Sequence, residues 1–157
     1  MKKYPDNVVT YLRNFSSDEW KIEWNENENI ENVIVVPAIA EFENIKEVLL
    51  SLSENDKSYL ERTLVLLVIN NLKSSSTDIK EDNKKSLDFL RAVIDRQQEV
   101  IDEKIINSGM QLGYINAASE GKELDDETGG VGYARKIGMD LALTVFNYTT
   151  SNKKIII

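Results

Sequence analysis

The chain has 157 residues with no cysteine and no histidine; 41% are hydrophobic and 29% charged, and 19 Lys and Arg against 27 Asp and Glu leave a formal charge of −8. This length and balance fit one globular unit and exclude disulfides, thiolate catalysis, cysteine zinc sites and a histidine general base, so acid–base work falls to carboxylates or lysine. The negative charge argues against nucleic acid as a partner, because phosphates require a cationic surface, and no apolar run reaches the roughly 18 residues of a membrane-spanning helix.

Residues Met1 to Asp6 carry no apolar stretch of the kind that opens a secretory leader, which predicts a cytoplasmic protein. Val8, Val9, Tyr11, Leu12, Phe15, Trp20 and Trp24 recur among polar residues. They predict a helix and a short extended arm over residues 1–30, packed on a main body at 31–157. The polar run Asn25 to Asn29 closes this arm. Asn32 to Pro37 is a continuous apolar run, the pattern of a strand buried on both faces, and Pro37 stops it. Glu41 and Asn44 then lead into Ile45, Val48, Leu49 and Leu52, which share one face of a helix.

Leu64 to Ile69 forms a second apolar strand that ends in Asn70-Asn71. Leu72 to Lys85 is so polar that it predicts a long loop, either a mobile cover for a site or plain surface. Leu87, Leu90 and Ile94 mark a second helix, Leu112 to Ala117 a third strand, and Gly121, Asp125 and Asp126 a polar turn. Gly129, Gly130 and Gly132 open a helix of about four turns in which Ala134, Ile137, Leu141, Ala142 and Val145 recur, and Lys153-Lys154 feed a last apolar segment, Ile155 to Ile157. The order β-α-β-α-β-α-β predicts an α/β three-layer sandwich with a mainly parallel sheet, right-handed crossovers and helices on both faces.

In such a sheet ligands collect at the carboxyl ends of the strands, here Pro37 to Glu41, Asn70-Asn71, Ala117-Ala118 and whatever follows Ile157. The helix that opens at Gly130 to Gly132 leaves its first N–H groups unpaired and points the positive end of its dipole outward, which suits a phosphate. Arg135 can form two parallel hydrogen bonds to a phosphate or a base edge, and Lys136 acts as a point charge. The alternative is that the glycines only permit a tight turn and the cations face water. A Walker loop is excluded because Tyr133-Ala134 stands where Lys-Ser/Thr is needed. A dinucleotide fingerprint is excluded because Lys122 to Thr128, not a strand, precedes the glycines. A phospho-receiver would need an acidic pair where Pro37-Ala38 stands.

Taken as an ordered set, Val33 to Glu41, Val65 to Asn71, Gly129 to Leu143 and Ile155 to Ile157 resemble the amino-terminal half of a family 2 glycosyltransferase with a GT-A fold. The resemblance covers roughly residues 31 to 157. It implies a Rossmann-like half that binds a nucleotide sugar. Pro37, Ala38 and Glu41 would line the nucleoside pocket and Asn70 would meet the base, while Gly130, Gly132, Arg135 and Lys136 would lie near base or diphosphate. Ala40 stands where many members have Asn, and Asn70 where an Asp usually accepts a proton from uracil; an amide oxygen can still accept that bond.

The family's metal-binding Asp-x-Asp would begin just beyond Ile157. The resemblance therefore implies that this chain lacks catalytic residues and a tightly bound metal, and that it transfers no sugar by itself. The full-length parent would use Mn²⁺ or Mg²⁺ and would lie in the cytoplasm, peripheral to the membrane face. A rival expectation is a non-catalytic α/β module for a protein or ligand partner, with homo-oligomers formed through an exposed C-terminal strand at Ile155 to Ile157. A third is a small-molecule enzyme that uses Glu41, Asp125 or Asp126 as acid or base.

Overall fold

The structure is a computed structural model and describes residues 4–97, 99 and 101–157; the first three residues of the expected arm lie outside it. Five strands form one sheet: β1 (Ile22–Trp24), β2 (Asn32–Ala38), β3 (Thr63–Asn70), β4 (Gln111–Ala117) and β5 (Ile155–Ile156). The helices are α1 (Asp6–Phe15), α2 (Phe42–Ser53), α3 (Lys57–Leu60), α4 (Thr77–Ile94), α5 (Glu103–Asn107) and α6 (Val131–Ala142). The strand order is β1-β4-β3-β2-β5. β2 to β5 pair parallel and β1 pairs antiparallel with β4, so the sheet is mixed.

The chain moves from β2 to β3 to β4 in one direction and then crosses back to β5 on the far side of β2. Reversing direction at constant handedness sends the crossover helix to the opposite face. Accordingly Ala134, Ile137 and Ala142 of α6 pack with Val33, Val35, Leu64, Leu66 and Val68. Ile45 and Leu49 of α2, with Leu87 and Leu90 of α4, pack with Val65, Leu67 and Ile69 on the other face. β3 is covered on both faces, which is why Leu64 to Ile69 reads as an unbroken apolar run.

Three sequence expectations are corrected. The arm does not merely pack on the body: Ile22 and Trp24 join the sheet opposite Ile115 and Gly113, and a Cβ on Gly113 would lie 3.1 Å from Trp24 Cβ. Pro37 does not end its strand, because β2 runs on to Ala38. The proline lies just past the ladder to β5. Val35 donates to Ile157 O at 2.8 Å and Ile157 donates to Val33 O at 2.9 Å, but the next donor on that side would be Pro37, which has no N–H. The long loop shrinks to a few residues, because α4 begins at Thr77, where the Ser76 side chain caps the Ile79 N–H.

α1 buries none of its residues and is held by polar contacts to α6. The Tyr11 hydroxyl donates to Asp140 at 3.0 Å, and the Lys136 ammonium bonds both Asp140 and the Phe15 carbonyl. Hydrogen bonding to Asp140 raises both Tyr11 and Lys136 above their ordinary values. A raised value favours the protonated form, so this docking is intact below about pH 10 and is lost as pH climbs through the raised values. We expect the melting temperature to fall from about pH 10 upward, and to fall less steeply in an Asp140→Asn variant. Superimposable pH profiles for the two proteins would contradict this assignment.

Candidate functional site

Four segments meet at the carboxyl edge of the sheet. β2 ends at Ala38 and turns through Ile39 and Ala40 into α2; β3 ends at Asn70 and Asn71; β4 ends at Ala117; and the loop after β4 returns to start α6. Ala38 is in register with Ile69, and Asn70 with Ala117, so these ends stand side by side. The loop is laid onto β3. Leu124 donates to Asn71 O at 2.9 Å, Lys73 donates to Leu124 O at 3.1 Å, and Leu72 and Leu124 form a parallel bridge.

Gly129 seats the start of α6 on this edge. A Cβ there would lie 2.4 Å from Asp125 O and 2.6 Å from Leu72 Cδ2, so only glycine fits. Gly130, the N-cap, has φ +123°, which L side chains rarely adopt, and no side chain caps the helix. Gly132 is exposed and a Cβ on it would meet nothing within 4 Å. From this edge α6 descends over the middle of the sheet, where Gly138 touches Val35 and Val68.

The predicted site residues divide into those the edge gathers and those it does not. Asn70 is buried, and its Nδ2 donates to Ala38 O and Val68 O, both at 3.0 Å. Its Oδ1 accepts no bond from any described residue, so the amide offers an acceptor only. Pro37 is half-buried, Ala38 is buried, and Glu41 is half-buried at the N-cap of α2, where Asn44 donates to its carboxylate. Arg135 is exposed and makes no bond or ion pair with a described residue. It shares with Val131 and Met139, both exposed, a stripe of α6 at i, i+4 and i+8, away from the flank that carries Tyr133, Lys136 and Asp140. Lys136 bonds the Phe15 carbonyl at the end of α1 and Asp140 one turn on in α6, and is not at the helix mouth.

The paired carboxylates of the polar turn bind the loop in place. Asp126 accepts from the Ser74 hydroxyl at 2.6 Å and the Ser74 N–H at 3.0 Å; Asp125 accepts from the Glu127 N–H at 3.0 Å and from Lys73 at 3.4 Å. These bonds hold both carboxyls below their ordinary range. Both are anions at neutral pH, which does not suit a general acid there.

Sequence reasoning missed Asn83. This α4 amide is buried and bonds the backbone at Ala40 and Asn70 and the Asn71 side chain. Its signal was present: Asn83, Ser86, Leu87 and Leu90 lie at helical spacing, but two polar members hid the periodicity. Also missed is a cleft of about 560 Å³ on the α4 side of the same edge, lined by Lys80, Lys84, Arg91, Asn116 and Glu120 among others. A cleft of about 420 Å³ lies at the opposite, amino-terminal end of the strands, where Glu31, Arg62, Gln111 and Lys154 line it.

Among the described residues no group of three or more carboxylates is placed to hold a metal ion. Also among them, no helix is long and apolar enough to cross a membrane. No protein-family model matches the chain, and neither a curated protein nor a solved structure matches it.

Proposed function

We propose that the carboxyl edge of β2 and β3, together with the start of α6, binds the nucleoside diphosphate of a nucleotide sugar, as in the amino-terminal half of a GT-A glycosyltransferase built as a three-layer sandwich. One observation carries the reading. An uncapped helix start and a buried amide with a free acceptor oxygen stand on the same sheet edge, beside the point where the strand order reverses. In this reading the N–H groups of the first turn of α6 and the Arg135 guanidinium hold phosphate oxygens. Asn70 Oδ1 accepts from an N–H on the base, and Ala38 and Glu41 flank the nucleoside.

No residue of this chain is assigned as catalytic base or metal ligand. It is therefore a binding unit, and the sugar transfer belongs to a full-length enzyme that carries Mn²⁺ or Mg²⁺. Calorimetric titration with uridine and guanosine diphosphate sugars, with and without Mn²⁺ or Mg²⁺, tests this. Binding without turnover is expected, and Arg135→Ala should weaken it about 10- to 100-fold, the worth of one charge-assisted bidentate contact. Turnover by the isolated chain would refute the assignment of a binding unit, and absence of binding at millimolar ligand would refute the site.

A second reading is favoured by β5, which stands at the margin of the sheet with Ile155 and Ile157 exposed. There the chain is a non-catalytic interaction module that pairs with a second copy through this strand. Arg135→Ala then leaves ligand behaviour unchanged, while Ile156→Lys abolishes self-association.

A further inference from the structure

We infer that Asn83 of α4 is a positioning residue for the candidate nucleotide site, an inference that rests on the reading just given. Its side chain is 1% exposed and all its bonds go to the segments that form the edge. Oδ1 accepts the Ala40 N–H at 2.9 Å, and Nδ2 donates to Asn70 O and Asn71 Oδ1, each at 2.9 Å. These partners fix the amide in one orientation. Flipped, it would set N–H against N–H at Ala40 and oxygen against oxygen at Asn70 and Asn71.

The bond to Ala40 falls where the backbone is least comfortable. Ala40 has φ +53°, a left-handed conformation that costs an L residue with a Cβ and that persists only when its surroundings impose it. The next residue of the chain is Glu41, and the neighbouring α4 residue, Asp82, accepts the Phe42 N–H at 3.0 Å. Two consecutive α4 side chains thus grip the β2–α2 turn on both sides of Glu41. Through Nδ2, Asn83 also ties that turn to the end of β3, where Asn70 in turn donates to Ala38 O. Ala38 and Glu41 lie at the β2–α2 turn and Asn70 at the end of β3, and the Asn83 side chain bonds both segments. Buried and bonded to these segments, it sets the relative positions of the groups that line the edge.

The test uses the full chain with Asn83→Ala, and Asn83→Ala combined with Ala40→Gly, because glycine takes the left-handed conformation without a Cβ penalty. Circular dichroism checks the fold, amide exchange at residue 40 reports the turn, and calorimetry with uridine and guanosine diphosphates reports the site. In Asn83→Ala we expect exchange at Ala40 at least tenfold faster and nucleotide affinity at least tenfold lower, with half or more of the lost affinity, on a logarithmic scale, restored by Ala40→Gly. A role limited to stability would lower the melting temperature and would not be rescued at the ligand. Unchanged exchange and affinity in Asn83→Ala would overturn the inference, as would an affinity loss that Ala40→Gly leaves untouched. If the unmodified chain binds neither nucleotide, the nucleotide reading falls, and exchange at Ala40 still decides whether Asn83 sets the turn.

Discussion

Replacing Phe146 by Ala is expected to destabilise the protein by about 3–5 kcal/mol, the range for truncating a buried aromatic whose cavity closes only in part. Phe146 follows α6, is 2% exposed, and is the bulkiest of the fully buried side chains. Tight 3₁₀-type turns lead to it: after α6, Thr144 donates to Leu141 O at 2.9 Å and Val145 to Ala142 O at 3.1 Å. The ring then fills the layer between α6 and the sheet with Trp20, Val33 and Leu64, and meets Tyr148 edge to face at 6.1 Å. Domains of this size hold only about 5–15 kcal/mol in all, so the variant should stand near the limit of folding. A melting temperature lower by roughly 6–20 °C is expected at about 2–4 °C per kcal/mol, and a fall under about 3 °C would contradict this packing.

Gly138→Val acts by the opposite route, overfilling instead of emptying. A Cβ at this position would lie 2.4 Å from Val35 Cγ1 and 2.8 Å from Val68 Cγ2, contacts that real Cβ atoms do not make. Both neighbours are buried valines of central strands, so α6 must lift away from the sheet. The cost is expected at about 2–3 kcal/mol. Because Val35 supplies the closest contact, Val35→Ala should restore part of the loss when combined with Gly138→Val. The two substitutions are in contact and therefore non-additive. Strict additivity of their melting shifts would show that α6 does not approach the sheet here. Lifting α6 at Gly138 would also displace its first turn, two turns earlier, so the proposed nucleotide site predicts a lower affinity in Gly138→Val.

The parallel core was legible most clearly in β3, which is covered on both faces and so leaves an unbroken apolar run from Leu64 to Ile69. The start of α6 was legible for a backbone reason, since Gly130 occupies a conformation other residues avoid. β1 was not, because three residues carry no usable period and their place beside β4 is a tertiary fact. The first half of α4 was hidden because Asn83 and Ser86 occupy buried positions where the helical pattern expects apolar side chains. Lys136 was read as a phosphate ligand although Asp140, one helical turn ahead, offered a nearer partner. The spacing of Asn83 with Ser86, Leu87 and Leu90 marks it as a buried position, but its partners Ala40, Asn70 and Asn71 come together only in the fold.

Backbone amide resonances followed while uridine or guanosine diphosphate is added would locate the bound nucleotide residue by residue. The nucleotide reading predicts shifts concentrated at Ala38 to Glu41, at Asn70, and from Gly130 to Arg135, with Arg135→Ala abolishing the last set. Shifts confined to the α4 cleft around Lys80, Asn116 and Glu120, or no shifts at millimolar nucleotide, would contradict it.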